Sequence, residues 1–170
     1  MQRYFLFLCA VTTLFSGVIK QPETAITEQY PHAKFDKKRA LLTGAEAAEI
    51  EHEARQKLPS KIITYYVIEK GKKKIYAVLQ TMTVRSKTMT ALTFIEAGKI
   101  VAIEMIAFYE PGEYLPIPCW LETLNGKGTD DAIQPKRDLP TITGATLSAN
   151  AVAKTARLAL AFVNIKLERP

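Results

Sequence analysis

The chain has 170 residues, 23 basic against 17 acidic for a formal net charge of +6, with 48 % hydrophobic and 24 % charged residues. This length suits one domain, and this balance excludes an intrinsically disordered chain. Two cysteines and two histidines exclude a disulfide framework, and His32 and His52 lack the helical spacing that a metal pair needs.

The N-terminus stands apart. Arg3 is followed by residues 4–19 without a charge, and the chain turns polar at Lys20, Gln21, Pro22 and Glu23. This pattern predicts an export signal or, if retained, a single-span membrane anchor over residues 1–20, with one domain over 21–170. The run shows no small-x-small cleavage site, and Cys9 lacks the small residues that precede a lipid-bearing cysteine. Loss of residues 1–20 would remove Arg3 and Lys20, leaving 21 basic against 17 acidic residues, a charge of +4.

Residues 23–30 predict a short helix that Pro31 stops. Thr43 and Glu46 fit a capping box, and Ala47, Ile50, Ala54 and Leu58 follow at helical spacing up to Pro59. Residues 62–69 and 74–84 are rich in Ile, Val, Tyr and Thr, as are 89–96 and 99–108. They predict two hairpins and therefore an antiparallel sheet. Lys70, Lys72, Lys73 and Lys74 flank Gly71 between two such runs, so this basic cluster reads as a solvated turn rather than a nucleic-acid face.

After Tyr109 comes a loop containing Pro111, Gly112, Pro116 and Pro118, then one helical turn over 120–124. Cys119 beside Trp120 reads as a small buried hydrophobe. A polar loop follows over 125–140. Leu147, Ala151, Thr155, Leu158 and Phe162 then share one face of a closing amphipathic helix. The predicted fold class is α+β, an antiparallel sheet flanked by helices.

Thr143, Gly144, Ala145 and Thr146 stand immediately before that helix. Small residues let the backbone approach a ligand, and the first helical amides together with the helix dipole favour an anion. Hydroxyls of Thr143, Thr146 and Ser148 are further donors, so the turn suits a phosphate group. The competing reading makes Thr143 or Thr146 an ordinary N-cap. A Walker-type loop is excluded because no Gly-Lys-Ser/Thr ending is present. A hydrolase with Thr146 or Ser148 as nucleophile lacks a nearby base in sequence.

Residues 142–152, ITGATLSANAV, resemble the FMN-binding domain of the C subunit of sodium-pumping NADH:quinone reductases. They are similar also to the G subunit of Rnf-type complexes and to small exported FMN-binding proteins. The resemblance extends to residues 108–126, FYEPGEYLPIPCWLETLNG, and covers roughly residues 23–165. It implies FMN bound at Thr143, Gly144, Ala145 and Thr146, with a phosphoester bond to Thr146 made by a flavin transferase outside the cytoplasm.

It further implies Leu147 and Ser148 beside the phosphate, and Glu110, Tyr114 and Trp120 near the flavin ring. The expected role is electron transfer between membrane or periplasmic redox proteins. One departure stands out: Pro140 occupies the position where the family's motif carries an aspartate, and Asp138 lies two residues earlier. The alternatives are a non-covalent binder of FMN or another phosphorylated ligand, and a cofactor-free interaction protein of the envelope.

Overall fold

The computed structural model describes residues 17–169. The predicted leader therefore lies largely outside the described residues, as does Cys9. Among the described residues no helix is long and apolar enough to cross a membrane.

Six strands form one antiparallel sheet: β1 (Gly17–Val18), β2 (Lys34–Leu41), β3 (Ile62–Lys70), β4 (Lys73–Thr83), β5 (Thr88–Glu96) and β6 (Lys99–Phe108). Their spatial order is β1-β6-β5-β4-β3-β2. Strands β2 to β6 are thus a meander, and β1 returns to the far edge beside β6. Helix α1 (Pro22–Gln29) lies between β1 and β2, and α2 (Gly44–Ala54) between β2 and β3. A short helix α3 (Pro118–Leu121) runs into a 3-10 turn (Glu122–Leu124), and α4 (Thr146–Phe162) closes the domain.

The two predicted hairpins are the central strands β3–β4 and β5–β6, and the fold is α+β as the sequence implies. Helix α1 stops one residue before Tyr30, with Pro31 next. The capping box of α2 is complete. Thr43 Oγ1 accepts from the Glu46 amide at 3.2 Å, and Glu46 Oε2 accepts from the Thr43 amide at 2.8 Å. Lys166 and the capping amide together hold the Glu46 carboxyl at about 2.

The sheet is covered on both faces because its strands carry apolar residues at odd and even positions alike. One face, with Ile63, Val78, Ile95 and Ile103, packs under α4 and α2 through Val152, Phe162 and Ile50. The other, with Tyr66, Ile75, Leu92 and Phe94, packs under Ile26 of α1 and Tyr30 just beyond it. Breaks of register between Thr90 and Ala91 and between Phe94 and Ile95 mark bulges against β6.

Two strands depart from the sequence reading. Strand β2 carries Lys34, Asp36, Lys37, Lys38 and Arg39 and is mostly exposed, which hides the period of two. It is an edge strand, and charge on an edge blunts pairing with other chains. Strand β1 falls within the predicted leader. Gly17 pairs with Phe108, and the Ile19 amide donates to the Ile106 carbonyl at 2.8 Å. Lys20 reaches Glu28 at 2.8 Å and Glu104 at 3.1 Å, so residues 17–20 belong to the folded unit.

Candidate functional site

The site lies where the β4–β5 connection, the start of the Tyr109 loop and the N-terminus of α4 meet. A cavity of about 250 Å³ there is lined by Val84, Arg85, Glu110, Tyr114 and the run from Gly144 to Ser148.

The turn before α4 is built from local chemistry. The Ala145 amide donates to the Ile142 carbonyl at 3.2 Å, and Gly144 sits at φ +81° as the third residue of that turn. This is the position where a type II turn requires positive φ. A Cβ on Gly144 would meet nothing within 4 Å, so conformation rather than space selects glycine.

Ala145 is the N-cap of α4, and no side chain caps the helix. Thr146 is the first helical residue, and its Oγ1 lies 3.4 Å from the Ile142 carbonyl oxygen. The reading of Thr143 or Thr146 as an N-cap is therefore replaced. Among the described residues, the amides of Thr146, Leu147 and Ser148 find no acceptor. Ser148 is buried at 1 % exposure, yet its Oγ has no hydrogen-bond partner. Buried polar groups are normally satisfied, so three open amides and an orphan hydroxyl beside one cavity describe a place for an acceptor-rich group.

Glu110 is buried, and its Oε1 accepts from three consecutive amides: Arg85 at 3.2 Å, Ser86 at 2.7 Å and Lys87 at 2.8 Å. The Lys87 and Ser86 amides, followed by that of Arg85, hold its carboxyl below the ordinary carboxylate range against the opposing effect of burial. Glu110 is thus a fixed part of the cavity wall that shapes the β4–β5 connection. That connection carries Arg85 to the start of α4, where it supplies a positive charge. Among the described residues Arg85 forms no ion pair.

The remaining sequence candidates take different places. Tyr114 lines the cavity from a 3-10 turn (Gly112–Tyr114), and Leu147 is exposed at its rim. Thr143 is exposed in the turn and does not line the cavity. Trp120 is buried in the core, and its indole N–H donates to the Pro140 carbonyl at 2.8 Å. It anchors the chain just before the turn. Asp138 is occupied: it accepts from Lys127 at 3.0 Å and from the amides of Ile133 and Gln134 at 2.9 and 2.7 Å. Burial raises its carboxyl, but those three donors together bring it below the ordinary range.

Cys119 is exposed, which corrects its reading as a buried apolar residue. Pro118 opens α3, whose inward positions go to Trp120 and Leu121. Arg85 and Val84 have no local signal in the sequence, because their role depends on a strand connection meeting a helix far along the chain. Among the described residues no cluster of three His, Cys, Asp or Glu is placed to hold a metal ion.

Two larger hollows, about 460 and 510 Å³, lie near Lys20 and Glu104 and near Ile62 and Leu79. Neither includes the start of α4 or a buried hydroxyl without a partner. Searches against family models, curated proteins and solved structures return no match for this chain.

Proposed function

We propose that the protein is an extracytoplasmic FMN-binding flavoprotein that carries electrons between partner redox proteins, with FMN joined to Thr146 by a flavin transferase. The observation that supports this reading most is the convergence of three open amides, the unpartnered Ser148 hydroxyl and Arg85 on one cavity at an uncapped 17-residue helix. This donor set matches the terminal oxygens of a phosphate group in charge and in hydrogen-bonding capacity.

A flavin supplies one- and two-electron redox chemistry when bound. The chain's own contribution is positional. The amides of Thr146, Leu147 and Ser148 and the Arg85 side chain would receive the phosphate, and Gly144, at φ +81°, turns the backbone into the helix. Thr146 Oγ1 stands at the start of the helix as the acceptor oxygen for a phosphoester. Glu110 fixes the β4–β5 connection, and Trp120 fixes the segment leading into the turn.

A cavity of about 250 Å³ is smaller than the roughly 300–1,000 Å³ that enclose a drug-sized ligand. It suits the phosphate end of FMN, and Tyr114 and the exposed Leu147 are the side chains that would stand beside the rest of the group. A covalent link would keep the cofactor from being lost.

The reading is tested by expressing the full chain with a flavin transferase and inspecting denatured protein for flavin fluorescence. The expected result is a fluorescent band that Thr146→Val abolishes and Thr143→Val retains. Pro140, in place of the family's aspartate, favours a second reading in which FMN binds reversibly. In that case colour is lost on denaturation while FMN titration of the native protein remains saturable.

A further inference from the structure

Positive charge collects at a second place on α4, away from the Thr146 cavity. Asn150, Lys154 and Arg157 share one face of that helix, spaced by four and then three residues. With Arg55, Ala132 and Gln134 they line a hollow of about 260 Å³, which shares no residue with the Thr146 cavity. The lining holds three cations, two side-chain amides and no carboxylate. Among the described residues Arg55, Lys154 and Arg157 form no ion pair.

This cluster differs from the solvated turn of Lys70, Lys72, Lys73 and Lys74. Arg157 is half-buried and fixed, with Nε donating to the Ala54 carbonyl at 3.0 Å and Nη1 to the Ile133 carbonyl at 2.6 Å. Two of the residues around it have left-handed backbone, Arg55 at φ +55° and Ile133 at φ +46°. A β-branched residue rarely adopts that conformation. Ile133 is held in it from both sides, by Arg157 on its carbonyl and by Asp138, which accepts from its amide at 2.9 Å. Backbone kept in such a conformation by its surroundings is characteristic of ligand clamps.

Carboxylates stand nearby without lining the hollow. Asp138 acts on Arg157 but already accepts from Lys127 and the amides of Ile133 and Gln134. Glu53 and Asp131 line a separate narrow gap with Arg55 and Arg157. Burial first, and Arg55 second, keep the Arg157 guanidinium below its ordinary value, with Asp138 opposing them.

Three such cations favour a ligand with more than one negative charge. A phosphate monoester carries about −1.5 to −2 near neutral pH, and guanidinium groups match its oxygens in geometry. The volume is below the roughly 300–1,000 Å³ of sites for drug-sized ligands, so the molecule is small.

We infer that this hollow binds a small organic phosphate monoester. Arg55, Lys154 and Arg157 take its phosphate oxygens, and the side-chain amides of Asn150 and Gln134 take its remaining polar groups. The site does not depend on what the Thr146 cavity binds.

The test titrates glycerol phosphate into the isotope-labelled full chain in neutral detergent, at constant ionic strength, and follows backbone and arginine N–H resonances. Saturable shifts are expected at Arg55, Asn150, Lys154 and Arg157. Lys154→Gln and Arg55→Gln, both at exposed positions, are each expected to weaken binding by about tenfold. Shifts confined to Thr146, Leu147 and Ser148 assign the phosphate to the start of α4 alone and overturn the inference. So do shifts that glycerol or sodium chloride reproduces, unchanged affinity in both variants, or tighter binding of succinate.

Discussion

Glu110 Oε1 accepts the Ser86 amide at 2.7 Å and the amides of both neighbours of Ser86, so one carboxylate at the end of β6 sets the shape of the β4–β5 connection. Three consecutive amides aimed at one oxygen form an anion-binding concavity, and the anion is supplied by the chain itself. Glu110→Gln replaces a charged acceptor with a neutral one. The folded carboxyl lies below its ordinary value of 4.5. Its contribution to stability is therefore present above the unfolded value and is lost as pH falls through the folded one. Thermal unfolding from pH about 3 to 7 is expected to show wild type above the variant near neutrality, with the gap closing on acidification below pH about 4.5. A gap independent of pH contradicts this role.

Trp120 acts through its indole nitrogen as well as its bulk. Trp120→Phe keeps a ring in the core and loses the bond to the Pro140 carbonyl. Denaturant unfolding is expected to show a loss of about 1 kcal/mol, the net worth of one hydrogen bond. FMN loading is expected to fall as well, because the bond fixes the segment that leads into the turn. A loss of stability with unchanged loading separates the two effects.

Gly144 isolates a conformational cost. A methyl group there meets no atom within 4 Å, so Gly144→Ala has no steric term, and the whole effect comes from φ +81°. The expected destabilisation is about 1–2 kcal/mol, measured by urea unfolding. A neutral result would mean that the turn readily relaxes to another conformation.

Arg85 is exposed and meets the cavity from the β4–β5 connection. Arg85→Gln is expected to weaken FMN binding by about tenfold at low salt, the lower end for a charge-assisted hydrogen bond. The difference between wild type and variant is expected to shrink as ionic strength rises. Fluorescence titration at two salt concentrations measures both effects.

On the proposed function, the Pro140 side chain bears on the covalent bond. Its carbonyl, which Trp120 uses, belongs to the backbone and persists in Pro140→Asp. Asp138 is engaged with Lys127, Ile133 and Gln134 and does not line the cavity. Pro140→Asp is expected to raise the flavin-labelled fraction under co-expression with a transferase, read as fluorescence per mass of denatured protein.

Much of the architecture is legible in the sequence, because periodicity and punctuation agree. The two Gly-centred hairpins, the Thr43–Glu46 capping box and the closing helix follow from local pattern alone. Strand β2 is not legible, since five charged residues on a solvated edge erase the alternation. Strand β1 is hidden inside an apolar run whose simplest reading is a leader.

At the site, Gly144 to Ser148 line one cavity with Glu110 and Tyr114, which only the family resemblance, and no local pattern, joins to the turn. The role of Trp120 in anchoring Pro140 and the arrival of Arg85 depend on contacts between distant segments. The orphan Ser148 hydroxyl is likewise invisible without the packing around it.

The most direct test of FMN at the start of α4 is intact-mass analysis of the full chain purified from its native envelope, followed by peptide mapping. The expected result is a mass gain equal to FMN minus water on the peptide that contains Thr146. Unmodified, colourless protein that also fails to bind added FMN would contradict the proposed function.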